Sequence, residues 1–251
     1  MRTHYVHLPL VYDQWQKSYG RDFSTAILPR LLSTMRKFKI RKSAMLDLAC
    51  GTGTLAVKMA KRGWKVWGVD ASEGMLEEAQ KKIQGTKLSV KFLLQDMRSF
   101  ALPERVALVT CLFDSLNHLT RKRDLEATFR CVYENLHDDG YFMFDLNNGH
   151  CFRNVWTMTD TFEMGGCTLT LNNTFDPGLD IGRSQISIFA GTAGGLPQHV
   201  EEVKERHYPR EIVRAMLAKA GFQILCVEDF NFTRRPEIGN IKTWWVARRT
   251  P

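Results

Sequence analysis

Leu46-Asp47-Leu48-Ala49-Cys50-Gly51-Thr52-Gly53 is the stretch on which the reading of this chain turns. The apolar run over 44–49 predicts a buried strand, and two glycines mark a tight turn. The segment Thr54–Arg62, closed by Gly63, predicts a helix. Glycine in such a turn lets the backbone approach a ligand closely, where any Cβ would obstruct. A second strand, Lys65–Val69, closes on Asp70, which lies 19 residues beyond Gly51.

The alternation continues outward from this unit. Ser72 is placed to cap a helix whose Met75, Ala79 and Ile83 share one face, and Gly85 ends it. Val90–Leu94 predicts a third strand reaching Gln95-Asp96-Met97, and Val106–Phe113 a fourth. Leu125, Phe129, Val132 and Leu136 mark the next helix, and Asp138-Asp139-Gly140 turns the chain into a strand over Tyr141–Leu146. Strands and helices in this order form a parallel sheet with right-handed crossovers, which binds ligands beyond the carboxyl ends of its strands.

Both flanks of this core break the pattern. Residues 1–43 form a helical cap, with Ile27, Leu28, Leu31, Leu32 and Met35 at helical spacing and Pro29 starting or bending the helix. Thr168–Phe175, Ser184–Ala190 and Val200–His207 are short, alternating and separated by turn signals, which predicts an antiparallel insertion over 161–208. Pro209 opens a final helix and Gly221 closes it. Phe222–Asp229 and Lys242–Arg248 then pair antiparallel and complete the core over 209–251, the body of which spans 44–160. The expected fold is α/β, a seven-stranded, mostly parallel Rossmann-like sheet with a small antiparallel β insertion.

Composition narrows the class. No stretch approaches the roughly 18 apolar residues of a membrane helix, and the start lacks a basic region followed by an apolar run, which predicts no secretory signal. The six cysteines are scattered, several inside apolar runs, as expected of reduced thiols in a cytoplasmic protein. The seven histidines show no metal-binding spacing, so no metal is expected. The net charge of +8 is spread over short separate groups such as Arg121-Lys122-Arg123. A solvated surface accounts for such groups better than a nucleic-acid site does.

Gly51-x-Gly53-x-x-Ala56 with Asp70 also satisfies a dinucleotide-binding pattern. Asp47 counts against it, because a carboxylate in the loop approach repels a pyrophosphate and suits an ammonium. Asp96 after the third strand is placed to accept from the exocyclic amine of an adenine, and the closing strand pair is foreign to a dehydrogenase half.

Leu46–Gly53, Gly68-Val-Asp70-Ala71-Ser72-x-x-Met75, Leu94-Gln95-Asp96-Met97 and Asp138-Asp-Gly140-Tyr resemble the motifs of class I S-adenosylmethionine-dependent methyltransferases. The match is closest over residues 44–146. The resemblance implies that Asp47 and the loop Ala49, Cys50, Gly51, Thr52 and Gly53 hold the amino-acid end of S-adenosylmethionine. It implies that Asp70 holds the ribose, that Ala71 and Met75 flank the adenine beside Ser72, and that Asp96 and Met97, with Gln95, read it. Tyr19, Leu112 and Phe113 are assigned to the cofactor in the same way.

Tyr12-Asp13-x-Trp15 and Phe113-Asp114-Ser-Leu-Asn117-His118 extend the resemblance to a subset that includes amino-sugar N-methyltransferases. There Tyr12 would border the cofactor and His118 would approach the acceptor, and both are expected to serve catalysis. A histidine titrates at about 6.5 and can take a proton from an amine or hydroxyl, while the plainer role for His118 is packing or capping the next helix. The expected function is methyl transfer to nitrogen or oxygen of a small molecule, leaving S-adenosylhomocysteine. An RNA methyltransferase and a cofactor-binding protein without catalysis are the rivals. The insertion is too short to bury a core of its own, so it packs on the domain or on a second copy in a homodimer.

Overall fold

The computed structural model describes residues 7–18, 22–191, 197–231, 233 and 236–250. It opens with two helices, α1 (Pro9–Ser18) and α2 (Phe23–Lys37). Leu8, Val11, Tyr12 and Trp15, at helical spacing, turn α1 toward apolar neighbours. Asp22 caps α2, accepting from Thr25 N at 2.8 Å, so this helix starts well before Pro29 and carries that proline inside it.

The core follows as β1 (Ala44–Leu48), α3 (Thr54–Ala60), β2 (Lys65–Asp70), α4 (Glu73–Ile83), β3 (Val90–Leu94), β4 (Val106–Cys111), α5 (Lys122–Asn135) and β5 (Leu136–Asn147). Ser72 caps α4 as expected, its Oγ accepting from Met75 N at 3.3 Å. The Asp138–Gly140 segment differs from the expected turn. It is no turn ahead of the strand but an irregular stretch within β5, where pairing with β4 starts at Leu136 and slips before Tyr141. Asp139 takes up the slip with φ 63°.

Beyond β5 come α6 (Gly149–Asn154) and four strands, β6 (Thr159–Met164), β7 (Cys167–Asp176), β8 (Ile181–Ala190) and β9 (His199–Arg206). They pair successively antiparallel into one sheet. The sequence reading missed α1, α6 and β6. Leu169, Leu171, Ile186, Ile188 and Val203 pack on α1 through Leu8, Val11 and Trp15, so the apolar face of this sheet is covered from within the chain.

The chain ends with α7 (Arg210–Lys219), β10 (Phe222–Phe230) and β11 (Lys242–Arg249). The large sheet runs β10-β11-β5-β4-β1-β2-β3, seven strands with β11 antiparallel to both its neighbours and the other pairs parallel. Its two faces are covered separately. Leu125, Phe129, Val132, Val213 and Leu217 close one, and Ile27, Leu31, Leu55, Met59 and Trp64 close the other. Among the described residues no helix is long and apolar enough to cross a membrane.

Candidate active site

Strand ends converge at the carboxyl edge of the large sheet. Just beyond β1, Ala49 and Gly51 take left-handed backbone at φ 56° and 52°. Asp47 is buried and accepts from Thr110 Oγ1 at 3.0 Å. Burial pushes its carboxyl up to about 7, the Thr110 bond opposing the rise and the Asp70 charge adding to it. Asp70 ends β2, and its two oxygens accept from Gly51 N at 2.8 Å and Ser72 N at 2.9 Å. Those bonds hold the carboxylate across the loop while leaving acceptor capacity on each oxygen.

The two glycines of the loop differ in what they make room for. A Cβ on Gly51 would meet nothing nearer than Tyr12 at 3.9 Å and Met75 at 4.0 Å, so the backbone there is open to a ligand. A Cβ on Gly53, at φ 70°, would fall 2.6 Å from Phe92 and 2.9 Å from Ala79. Gly53 therefore serves the packing of α3 on the sheet, and it borders neither of the cavities below.

A cavity of about 650 Å³ lies over this edge. Tyr12, Ala49, Gly51, Asp70, Ala71, Ser72, Met75, Gln95, Asp96, Met97, Phe113 and His118 all border it. So do Trp15, Asp114, Asn147, Ser184, Ile186, Val203, Glu205 and Lys242. It thus reaches from the glycine loop to the inner face of the β6–β9 sheet. A second cavity of about 70 Å³ adjoins Asp47, Cys50, Thr52 and Leu112, sharing Tyr12, Ala49, Gly51 and Phe113 with the first. Tyr19 lies outside the described residues.

Asp96 and Gln95 are engaged within their own loop. Asp96 binds Arg98, with Nε donating to Oδ1 at 2.9 Å and Nη2 to Oδ2. Gln95 bonds the backbone of Ala101 in both directions, at 2.8 and 3.1 Å, which staples the loop after β3. Burial pushes the Cys50 thiol well up and the Asp70 and Asp47 charges reinforce this, which disfavours the thiolate.

The loop after β4 is strained in a specific way. Phe113 and Asp114 both take left-handed backbone, at φ 62° and 54°. Their N–H groups donate to the two oxygens of Asp145, at 2.7 and 3.0 Å. This buried carboxylate holds two residues in a conformation that costs non-glycine residues of order 1–3 kcal/mol each. The strain delivers a 3-10 turn, Ser115–His118. Asn117 anchors the turn, accepting from Asn147 N at 3.0 Å and donating to Arg206 O at 2.7 Å. His118 does not cap the next helix, whose N-cap is Arg121.

Beneath His118 sits a charged network that sequence reasoning missed. Lys242, 1% exposed, donates to Asp114 at 2.7 Å, Asp145 at 2.8 Å and Asn147 at 3.1 Å. Burial acts to lower its pKa, but Asp114 and Asp145 more than offset this and hold the ammonium charged. Asn147 Nδ2 donates to Asp114 at 3.0 Å and to Glu205 at 2.9 Å. Glu205 Oε1 lies 3.6 Å from His118 Nε2. Asp145 and Lys242 each stand beside an apolar run, Phe142-Met-Phe144 and Trp244-Trp-Val246, and that mismatch was a readable signal. Glu205 gave none, because it lies in the charged run Val200-Glu-Glu-Val-Lys-Glu-Arg206.

Comparison with known proteins accords with this geometry. The family described as methyltransferase domain matches residues 45–140. The putative methyltransferase YqeM of Bacillus subtilis (strain 168) is 30% identical over 247 residues, covering 97% of this chain and 92% of that protein. The dTDP-3-amino-3,6-dideoxy-alpha-D-glucopyranose N,N-dimethyltransferase of Streptomyces fradiae is 26% identical over 220 residues, 85% and 83% of the two chains. The crystal structure of an S-adenosylmethionine-dependent methyltransferase from Clostridium acetobutylicum ATCC 824 superposes with a TM-score of 0.81 at 24% identity, over 96% and 97% of the two chains. This chain belongs to the class I S-adenosylmethionine-dependent methyltransferases, a family that includes amino-sugar N-methyltransferases. It is an enzyme, and S-adenosylmethionine is its cofactor.

Proposed function

We propose that the enzyme methylates a nitrogen or oxygen of a small-molecule acceptor, with cofactor and acceptor held side by side in the 650 Å³ cavity. The observation that carries this is the continuity of the cavity wall, from Ala49, Gly51 and Asp70 to His118 and the insertion sheet. The donor set suits the cofactor. Asp47 and the Ala49–Thr52 backbone offer a buried carboxyl and an open surface for an amino-acid end, and Asp70 offers acceptors to two ribose hydroxyls. Ala71, Met75 and Met97 supply apolar walls for the adenine beside Asp96.

When bound, S-adenosylmethionine supplies a methyl on a positive sulfur, which an acceptor lone pair takes as the carbon–sulfur bond breaks. The chain contributes alignment and exclusion of water. Tyr12 and Trp15 on α1, packed with the β6–β9 sheet, cover the cavity as a lid together with Ile186 and Val203 of that sheet. His118 carries away the proton that the acceptor gives up. Similarity to an amino-sugar N,N-dimethyltransferase supports a nitrogen acceptor on a sugar.

The test is mass spectrometry of products formed with S-adenosylmethionine and a panel of dTDP-amino sugars, simple amines, polyols and tRNA. The expected result is one added methyl on a small molecule. Methyl incorporation into tRNA alone, or cofactor binding with no turnover, would overturn the reading.

A further inference from the structure

The buried charge at the end of the cavity does not balance around Lys242 alone. Asp145 and Glu205 are buried and Asp114 is largely covered, its side chain 14% exposed, so three carboxyl groups crowd one ammonium. An ammonium has three N–H donors, and those of Lys242 have Asp114, Asp145 and Asn147 as acceptors. Glu205 instead meets the imidazole of His118 and Asn147 Nδ2, which donates to Asp114 as well and so holds the two carboxyl groups side by side. Two neighbouring carboxyl groups shielded from water do not both stay ionised, and the place of the proton follows from their neighbours. Lys242 sits on Asp114 and keeps that group ionised, so the proton rests on Glu205. Burial and the Asp114 charge both favour the acid form of Glu205, against the Asn147 bond and the more distant Lys242. Cys151 also adjoins this group, and burial keeps its thiol neutral.

Glu205 reaches the cavity from β9, the last strand of the insertion, while its partners come from the core. Its acid therefore stands where the acceptor side of the cavity meets the loop after β4. We propose that Glu205 is the group that takes the proton from a cationic amine acceptor, with Asp114 as its fixed partner and His118 as the exit to solvent. This rests on reading the cavity as a methyl-acceptor pocket. An ammonium has no lone pair and cannot attack a methyl group, so its proton must leave first.

The proton count closes over one cycle. The resting proton of Glu205 passes to His118 Nε2 at 3.6 Å and from this partly exposed imidazole to water. The carboxylate so formed then accepts one proton from the N–H of the bound ammonium. The nitrogen's freed lone pair becomes the new carbon–nitrogen bond, and Glu205 is left protonated, as at the start. One proton is released to solvent per methyl transferred.

The experiment uses Glu205→Gln, which copies the shape and neutrality of the resting acid. Glu202→Gln, an exposed position on the same strand paired with Lys204, is the control. With glutamate carboxyl carbons labelled by ¹³C, the wild-type complex with S-adenosylhomocysteine should show one protonated glutamate at neutral pH, absent in Glu205→Gln and kept in Glu202→Gln. With a dTDP-amino sugar acceptor, Glu205→Gln should lower kcat ~10²–10⁴-fold, abolish the acidic limb of the kcat/KM profile and bind S-adenosylhomocysteine as wild type does. Wild type with every glutamate ionised, or a variant turning over within threefold of wild type, would overturn the proposal. If the wild type methylates no small molecule, the acceptor-pocket reading falls and the proposal with it. A silent Glu205→Gln in an enzyme that methylates the amine removes the proposal alone.

Discussion

Asp47 is a buried acid and Asp70 a half-buried one, and the structure prepares them differently. Asp70 has two backbone N–H donors in place before any ligand arrives, whereas Asp47 has the Thr110 hydroxyl and a neighbouring negative charge. With the Asp47 carboxyl at about 7, the free protein holds a proton there that the unfolded chain releases near pH 4. Its contribution to stability is therefore full below about pH 4 and is lost as pH rises through about 7. Ligand binding runs the other way, because an ammonium pairs with the ionised form. Affinity for S-adenosylhomocysteine should rise about tenfold between about pH 6 and pH 8, and Asp47→Asn should flatten that slope. Calorimetric titration across this range checks it, and an equal slope in the variant would contradict it. Asp70→Ala removes charge-assisted bonds to hydroxyls worth ~1.5–3 kcal/mol each, so affinity should fall by an order of magnitude or more at every pH. An unchanged dissociation constant would show that Asp70 only braces the loop.

Among the elements, α3 shows how a tight loop sets a helix. Gly53 precedes it at φ 70°, with Phe92 and Ala79 filling the space a side chain would need. Gly53→Ala should cost about 2–5 kcal/mol, combining left-handed strain with overpacking, and denaturant unfolding measures it. A loss under ~1 kcal/mol would mean that Phe92 yields freely. Elements whose signals are local were legible in the sequence: the Ser72 cap, the helix opened by Pro209 and the antiparallel final strands all stand as read. Helix α1 was missed because the stripe of Leu8, Val11, Tyr12 and Trp15 has meaning only against the insertion sheet, more than 140 residues away in the chain. The glycine-loop residues were legible for the opposite reason, since Gly51, Asp70 and Met75 come from one compact β-α-β-α stretch. The network of Asp114, Asp145, Glu205 and Lys242 spans four separated segments, and no spacing rule joins them.

At the scale of the whole molecule, a four-stranded sheet and an N-terminal helix meet over the carboxyl edge of a seven-stranded one. The cavity between them has acids for a cofactor along one part of its wall and a buried acid–histidine pair along another. Its size, and its closure by side chains from distant parts of the chain, suit a small acceptor better than a polymer. The net charge of +8 sits on scattered surface groups, many of them paired, such as Arg30 with Glu228 and Arg183 with Glu202. The central claim is that this cavity passes a methyl group to a small amine or hydroxyl, with its proton leaving past His118. The most direct measurement is single-turnover transfer of a labelled methyl from S-adenosylmethionine, by wild type and His118→Ala, to a responsive small acceptor with tRNA in competition. The account predicts that label appears on the small molecule and that the variant is slower by ~10²–10⁴, with S-adenosylhomocysteine affinity nearly intact. Label on the tRNA, or a variant within a few-fold of wild type, would contradict it.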